Sequence, residues 1–182
     1  LAEERENLLI TYSSVFYAKI LSMAAAFFKK HNKKVPLWLM RRLFNIWPPY
    51  LGAGIKILEG SDDFRYIKTC LKRRWYNLNY VGTAYGGSLY SMTDPFYMFM
   101  LINILGRDYI VWDKGAEIDF VSPGKTDVFA EFKITDEIIE DIKTKTAEGN
   151  KYIFTLPVEV KDKNGNLVAN VNKVLYVRKK KN

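Results

Sequence analysis

The apolar residues change rhythm along this chain, and each change predicts a different kind of element. Between residues 3 and 31 they recur every three or four positions, with no glycine or proline, as an amphipathic helix requires. Asn32-Lys33-Lys34 breaks that pattern, and Pro36 opens a second predicted helix over Leu37 to Ile46. Trp47-Pro48-Pro49-Tyr50-Leu51-Gly52 is expected to end it, because proline disfavours helical geometry in the residue before it. From Ala53 the period falls to two. Gly54–Glu59 and Phe64–Lys72 alternate on either side of Gly60-Ser61-Asp62-Asp63 and read as a hairpin.

A polar loop beginning at Asn79 then runs into about twenty residues that are apolar almost all round, ending at Leu105. A helix apolar on every side belongs inside a protein. Tyr109–Trp112, Ala116–Val121 and Asp127–Ile134 read as further strands, with Val128, Ala130, Phe132 and Ile134 on one face. Thr135-Asp136-Glu137 starts a short charged helix that stops at Gly149. Strands over Lys151–Lys161 and Leu167–Lys179 are joined by Asn164-Gly165, the strongest short hairpin signal in the chain. The expected architecture is α+β: a curved antiparallel sheet around one long central helix. At 182 residues the chain reads as a single domain, with residues 1–50 a helical extension and 51–182 the core.

Composition narrows the chemistry. Hydrophobic residues make 48% of the chain and charged residues 26%, an ordinary globular balance. The net charge of +8 is scattered rather than gathered on one helix, and no nucleic-acid-binding motif is visible, so nucleic acid is not expected as a partner. The single cysteine, Cys70, excludes an internal disulfide and fits a reducing, cytoplasmic compartment. The single histidine, His31, lies among lysines far from the central stretch, so no histidine-based metal site is expected and none is assigned. No cleavable signal peptide or run of transmembrane length is seen; the apolar stretch from Val15 to Phe28, closed by Lys29-Lys30, leaves room for peripheral membrane contact.

Candidate chemistry gathers in the central stretch. Gly86-Gly87 stands at the mouth of the apolar helix, and Asp94 is the one carboxylate well inside it. Amide N–H groups at a helix start are unpaired and carry partial positive charge, and glycine lets a carbonyl approach them closely. Gly86 and Gly87 therefore suit either an oxyanion site or tight packing of the helix start. A carboxylate in apolar surroundings is costly unless paired or at work. Asp94 accordingly reads either as a base or nucleophile, or as an N-cap ahead of Pro95.

Asn79, Tyr85-Gly86-Gly87 and Asp94 together resemble the hotdog-fold acyl-CoA thioesterases of the phenylacetate-pathway type, whose pattern is Asn, then His-Gly-Gly, then Asp seven residues on. Glu117–Asp127, with Phe120, Pro123, Gly124 and Asp127, looks like a second family segment. The helical preface and the helix after Thr135 resemble an uncharacterised DUF4442-like branch. Two departures stand out: Tyr85 replaces the histidine, and Ser122 replaces an arginine often found before the proline.

The resemblance implies a hotdog fold, hydrolysis of an acyl-CoA or acyl carrier thioester without metal or redox cofactor, and a homodimer or dimer of dimers with composite sites. It assigns catalysis to Asp94, Asn79, Gly86 and Gly87, and substrate contact to Tyr85, with Thr83 and Ser88 as polar lining and Lys125 set to meet a CoA phosphate; Asn79 reads otherwise as a turn residue bonding its own backbone. Helical geometry also favours two chains: seven residues from Gly87 to Asp94 would rise about 10.5 Å at about 1.5 Å each, too far for one reacting centre. A non-hydrolytic acyl-thioester binding module is the alternative, because Tyr85 offers a hydrogen bond but not the chemistry of a histidine.

Overall fold

A computed structural model describes residues 36–181. The helix expected over 3–31, and His31 with it, lies outside the described residues. Two short helices come first, α1 (Leu37–Asn45) and α2 (Pro48–Ala53). The second corrects the reading of Trp47–Gly52 as a mere terminator. Trp47 is extended, as a residue before proline must be, but Pro48 and Pro49 then fill the first turn of α2, where their missing N–H groups cost nothing. Gly54 closes α2 at φ 78°, and a Cβ there would collide with the Asn77 amide and the Lys72 carbonyl, so only glycine fits. The expected division between residues 50 and 51 runs through α2, and Leu37, Met40 and Tyr50 are buried in the core with the sheet.

The sheet has six strands: β1 (Ile55–Gly60), β2 (Tyr66–Leu71), β3 (Tyr109–Phe120), β4 (Val128–Lys133), β5 (Lys151–Asp162) and β6 (Leu167–Lys179). They are ordered β1-β2-β4-β5-β6-β3, and every pairing is antiparallel. The expected hairpins are present, and Gly165 has the left-handed φ of 86° that its turn demands. Two strands expected on either side of Asp113 are one strand, β3, with a register shift between Asp113 and Gly115. Such a bulge re-aims the residues beside it, which is why simple alternation fails there. β4 keeps its alternation, with Val128, Ala130, Phe132 and Ile134 all buried.

The central stretch is helical in two pieces, α3 (Gly86–Ser91) and α4 (Phe96–Leu105), rather than one rod kinked at Pro95. Thr93 and Asp94 bond back three residues, to Tyr90 and Ser91, so the chain tightens and leaves the helix before Asp94-Pro95. The rigid helical rise from Gly87 to Asp94 is therefore absent. α4 lies on the apolar face of the sheet. Phe96 meets Phe132 at 5.0 Å between ring centroids, and the Tyr97 hydroxyl donates to the Pro157 carbonyl at 2.8 Å. The remaining helix, α5 (Asp136–Lys145), is capped by Thr135 and carries Asp136 and Glu137 in its first turn and Lys143 and Lys145 in its last. No helix among the described residues is long and apolar enough to cross a membrane.

Candidate active site

Asp94 sits in the linker between α3 and α4, and that linker is pinned from three sides. The buried Tyr50 of α2 donates its hydroxyl to the Asp94 backbone carbonyl. Thr69 of β2 donates to the Met92 carbonyl at 3.4 Å, and the Thr93 hydroxyl turns back to Tyr90. Burial, with the Asp94 charge acting in the same direction, pushes the Tyr50 phenol above its ordinary range, so it stays a donor.

The Asp94 carboxylate caps nothing. α4 begins after Pro95 with no side-chain capping bond. Instead Asp94 Oδ1 lies 3.3 Å from Lys173 Nζ, while the Asp94 side chain stays 48% exposed. Lys173 comes from the inner face of β6, between Val171 and Leu175, and is 1% exposed. Its ammonium is also 2.7 Å from Asp113 Oδ2 of β3 and 5.3 Å from the centre of the Tyr90 ring. Neither Asp113 oxygen has a well-directed hydrogen bond among the described residues. Burial raises the Asp113 carboxyl above its usual range; Lys173 opposes that shift and the neighbouring Asp94 adds to it.

The other expected residues are distributed around α3. Tyr85 closes the loop with its amide donating to the Asn77 carbonyl, and its own carbonyl accepts from Ser88 and Leu89 as α3 begins. The amides of Gly86 and Gly87 have no acceptor among the described residues, as expected at a helix start. Aromatic rings crowd both glycines: a Cβ on Gly86 would press on the exposed Phe120 ring, and one on Gly87 would displace the exposed ring of Tyr85. Tyr85, Gly87 and Ser88 line a cavity of about 480 Å³ together with Asn77 and Ser91. Asp94 does not line that cavity.

Asn79 does not reach the cavity. Its amide oxygen accepts from Val81 and Thr83, and its nitrogen donates to the Thr83 hydroxyl at 2.8 Å. That is an asparagine stabilising its own turn, and Thr83 is occupied by the same bonds. The buried asparagine here is Asn77, which sequence reasoning passed over. It donates to the Ala53 and Lys72 carbonyls and accepts from the Arg74 amide, tying α2 to the end of β2. Lys125 is exposed, next to Gly124, whose carbonyl accepts from Ala84. The Pro-Gly turn is therefore held against the loop that leads into α3. Ser122 directs its hydroxyl to the Leu167 carbonyl.

A larger concavity, about 960 Å³, opens on the charged face of the sheet between β4 and β5. Its walls carry the Lys68–Glu131 and Lys133–Glu131 pairs at 3.1 and 3.4 Å. Partnered surface charges make a poor ligand site, so the smaller cavity beside Gly87 is the better candidate.

Lys173 and Asp113 also escaped the sequence reading. A signal existed for the first: in Val171-Asn172-Lys173-Val174-Leu175, the lysine occupies an inward position of an otherwise apolar face. Asp113 stood at the bulge, where two strands were expected to part.

Comparison with solved structures places the arrangement. A Pseudomonas aeruginosa protein named as of unknown function and a probable thioesterase is 21% identical, with a TM-score of 0.68 over 80% of this chain and 97% of that one. A Shewanella oneidensis protein named as a putative thioesterase is 20% identical, with a TM-score of 0.59 over 79% of this chain and 97% of that one. The PaaI protein of the Escherichia coli phenylacetic acid degradation operon is 14% identical, with a TM-score of 0.54 over 78% and 91%. These likenesses establish the hotdog fold. A comparison with curated proteins finds no match. The family described as domain of unknown function DUF4442 matches residues 37–177, and the chain belongs to it.

Proposed function

We propose that this protein hydrolyses an acyl thioester, with Asp94 as general base and the Gly86 and Gly87 amides as oxyanion donors. Water attacks the acyl carbon while its proton passes to Asp94. The carbonyl oxygen, now negative, meets the two amides. Collapse of the intermediate breaks the C–S bond, and the proton returns to the departing thiolate, giving a free acid and a thiol. No metal or redox cofactor is needed in this scheme. The observation that carries it is the placement of Asp94. It lies one residue ahead of the N-cap position, which Pro95 takes, and presents a half-exposed carboxylate beside a buried ammonium.

In this reading the two halves of a site come from two copies of the chain. β3 is an edge strand of twelve residues, and Trp112, Phe120 and Val121 at that edge are exposed. Long unpaired edges with apolar side chains invite a second strand. A homodimer joined there suits a composite site, since the Phe120 ring lies beside Gly86 and Asp113 pairs with the Lys173 that meets Asp94.

Binding without turnover is the second reading. The Tyr85 ring covers Gly87 at the point where a carbonyl would approach. Both readings are tested by measuring thiol release from a panel of acyl-CoAs. Hydrolysis by the wild type, lost by about 100-fold or more in a folded Asp94→Asn variant, supports catalysis. Saturable acyl-CoA binding with no thiol release assigns the chain to the binding class instead.

A further inference from the structure

We propose that Lys173 is the positioning residue for Asp94 and that Asp113 is the fixed counter-charge that holds Lys173 in place. The inference rests on the hydrolase reading above and extends it to two residues outside the family pattern. Packing does not explain a lysine here. Position 173 is flanked on the inner face of β6 by Val171 and Leu175, and all three are buried. A buried ion cluster is commonly no more stable than apolar side chains of the same volume, so stability gives no reason to keep an ammonium at this point.

Its geometry supplies a reason. Asp113, Lys173 and Asp94 come from β3, β6 and the α3–α4 linker; the ammonium between the two carboxylates is 1% exposed, Asp113 13% and Asp94 48%. Only the last carboxylate of the series faces outward. The ammonium stands closer to Asp113, at 2.7 Å, than to Asp94, at 3.3 Å. The tight contact is thus made inside, and the outer carboxylate is steered through one oxygen, Oδ1. The Asp94 side chain stays half-exposed beyond that contact, open to water on its outer side. Tyr90 closes one side of the ammonium with its ring, and Tyr50 fixes the backbone of Asp94 from below.

Without Asp113, Lys173 would close onto Asp94 and hold both oxygens in an ordinary salt bridge. Without Lys173, two carboxylates would face each other and Asp94 would swing outward. A base oriented by a second group that is itself held by a third is the arrangement catalytic sites use to fix a reacting atom.

The test uses an acyl-CoA that the wild type hydrolyses and compares kcat and KM across four variants. In Lys173→Met, kcat falls about 100-fold with KM little changed, as displacement of a catalytic group by about 1 Å produces. Lys173→Met with Asp113→Leu leaves no interior charge of the cluster unpaired; it folds as the wild type does and shows the same loss of kcat. Adding Asp94→Asn to that pair causes no loss beyond that of Asp94→Asn alone, because Lys173 acts only through Asp94. A folded Lys173→Met/Asp113→Leu protein with kcat within threefold of the wild type overturns the inference, as does an additive loss with Asp94→Asn. In those cases an inactive Asp94→Asn still upholds the hydrolase reading. A wild type without turnover on any acyl-CoA overturns both.

Discussion

The inner face of the sheet has two unlike halves. Under α4, where β2 and β4 run, the face is apolar but for the Thr69 hydroxyl: Phe96 lies against Phe132, Tyr97 meets Phe132 edge-on, and Ile67, Val128 and Ala130 are buried with them. Under the α3–α4 linker, where β3 and β6 run, the same face carries Asp113, Lys173 and Asp94. One half obtains its stability from close packing, which tolerates no lost volume. The other accepts desolvated charge, which stability alone does not favour. The contrast shows where the molecule was shaped for folding and where for something else.

The largest expected effect that separates the halves is a cavity. Phe132→Ala should lower unfolding free energy by about 3–5 kcal/mol, because its ring is wholly buried between Phe96 and Tyr97. Denaturant unfolding measures that loss, and kcat on the same acyl-CoA should stay near the wild-type value. A matching fall in kcat would show that the two halves are not independent.

A smaller effect sharpens the polar side. An acid whose pKa is raised by folding binds its proton more tightly when folded, so its favourable contribution is complete at low pH and is lost as pH rises through the folded value. Asp113 is such a group, raised chiefly by burial. The wild type should therefore lose stability relative to Asp113→Asn as pH climbs from about 4. Melting temperatures across pH 3 to 8 give the comparison. Parallel curves would remove Asp113 from the account.

The smallest expected change belongs to neither half. Thr135→Ala removes the cap of α5, whose hydroxyl accepts from Ile138 at 3.5 Å, and should cost about 0.5–1 kcal/mol with no effect on turnover. Thermal unfolding reads it directly. A larger loss would mean that α5 supports the sheet more than its cap suggests.

These halves were not equally legible in the sequence. The alternation of β4, the Asn164-Gly165 hairpin and the capped start of α5 follow from local rules, and all three stand in the structure. The apolar run that forms α4 was expected inside the protein, and Phe96, Tyr97, Met100 and Leu101 are buried there while Phe99 is half-buried. The polar half depends on residues distant in the chain. Asp94 and Lys173 meet only because β6 lies beside β3 under the linker, which no local pattern declares. The helix break before Pro95 was equally hidden, since an unbroken run of apolar residues carries no sign of where its backbone bonds stop. Asn79 was open to two readings, a site residue by its spacing or a turn residue by its type, and its side chain bonds within its own turn.

Between β4 and β5 the ladder extends only from Val128 to Ala130, opposite Val160 to Asp162, and beyond it the Tyr97 hydroxyl reaches the Pro157 carbonyl in place of a strand partner. The hydrogen-bond ladder thus falls into two blades, β1-β2-β4 and β5-β6-β3, joined by a short seam and one phenol over a core that both share. A molecule stitched in this way can let one blade drift under mutation while the other keeps its alignment. Its packing and its chemistry can then diverge at separate speeds.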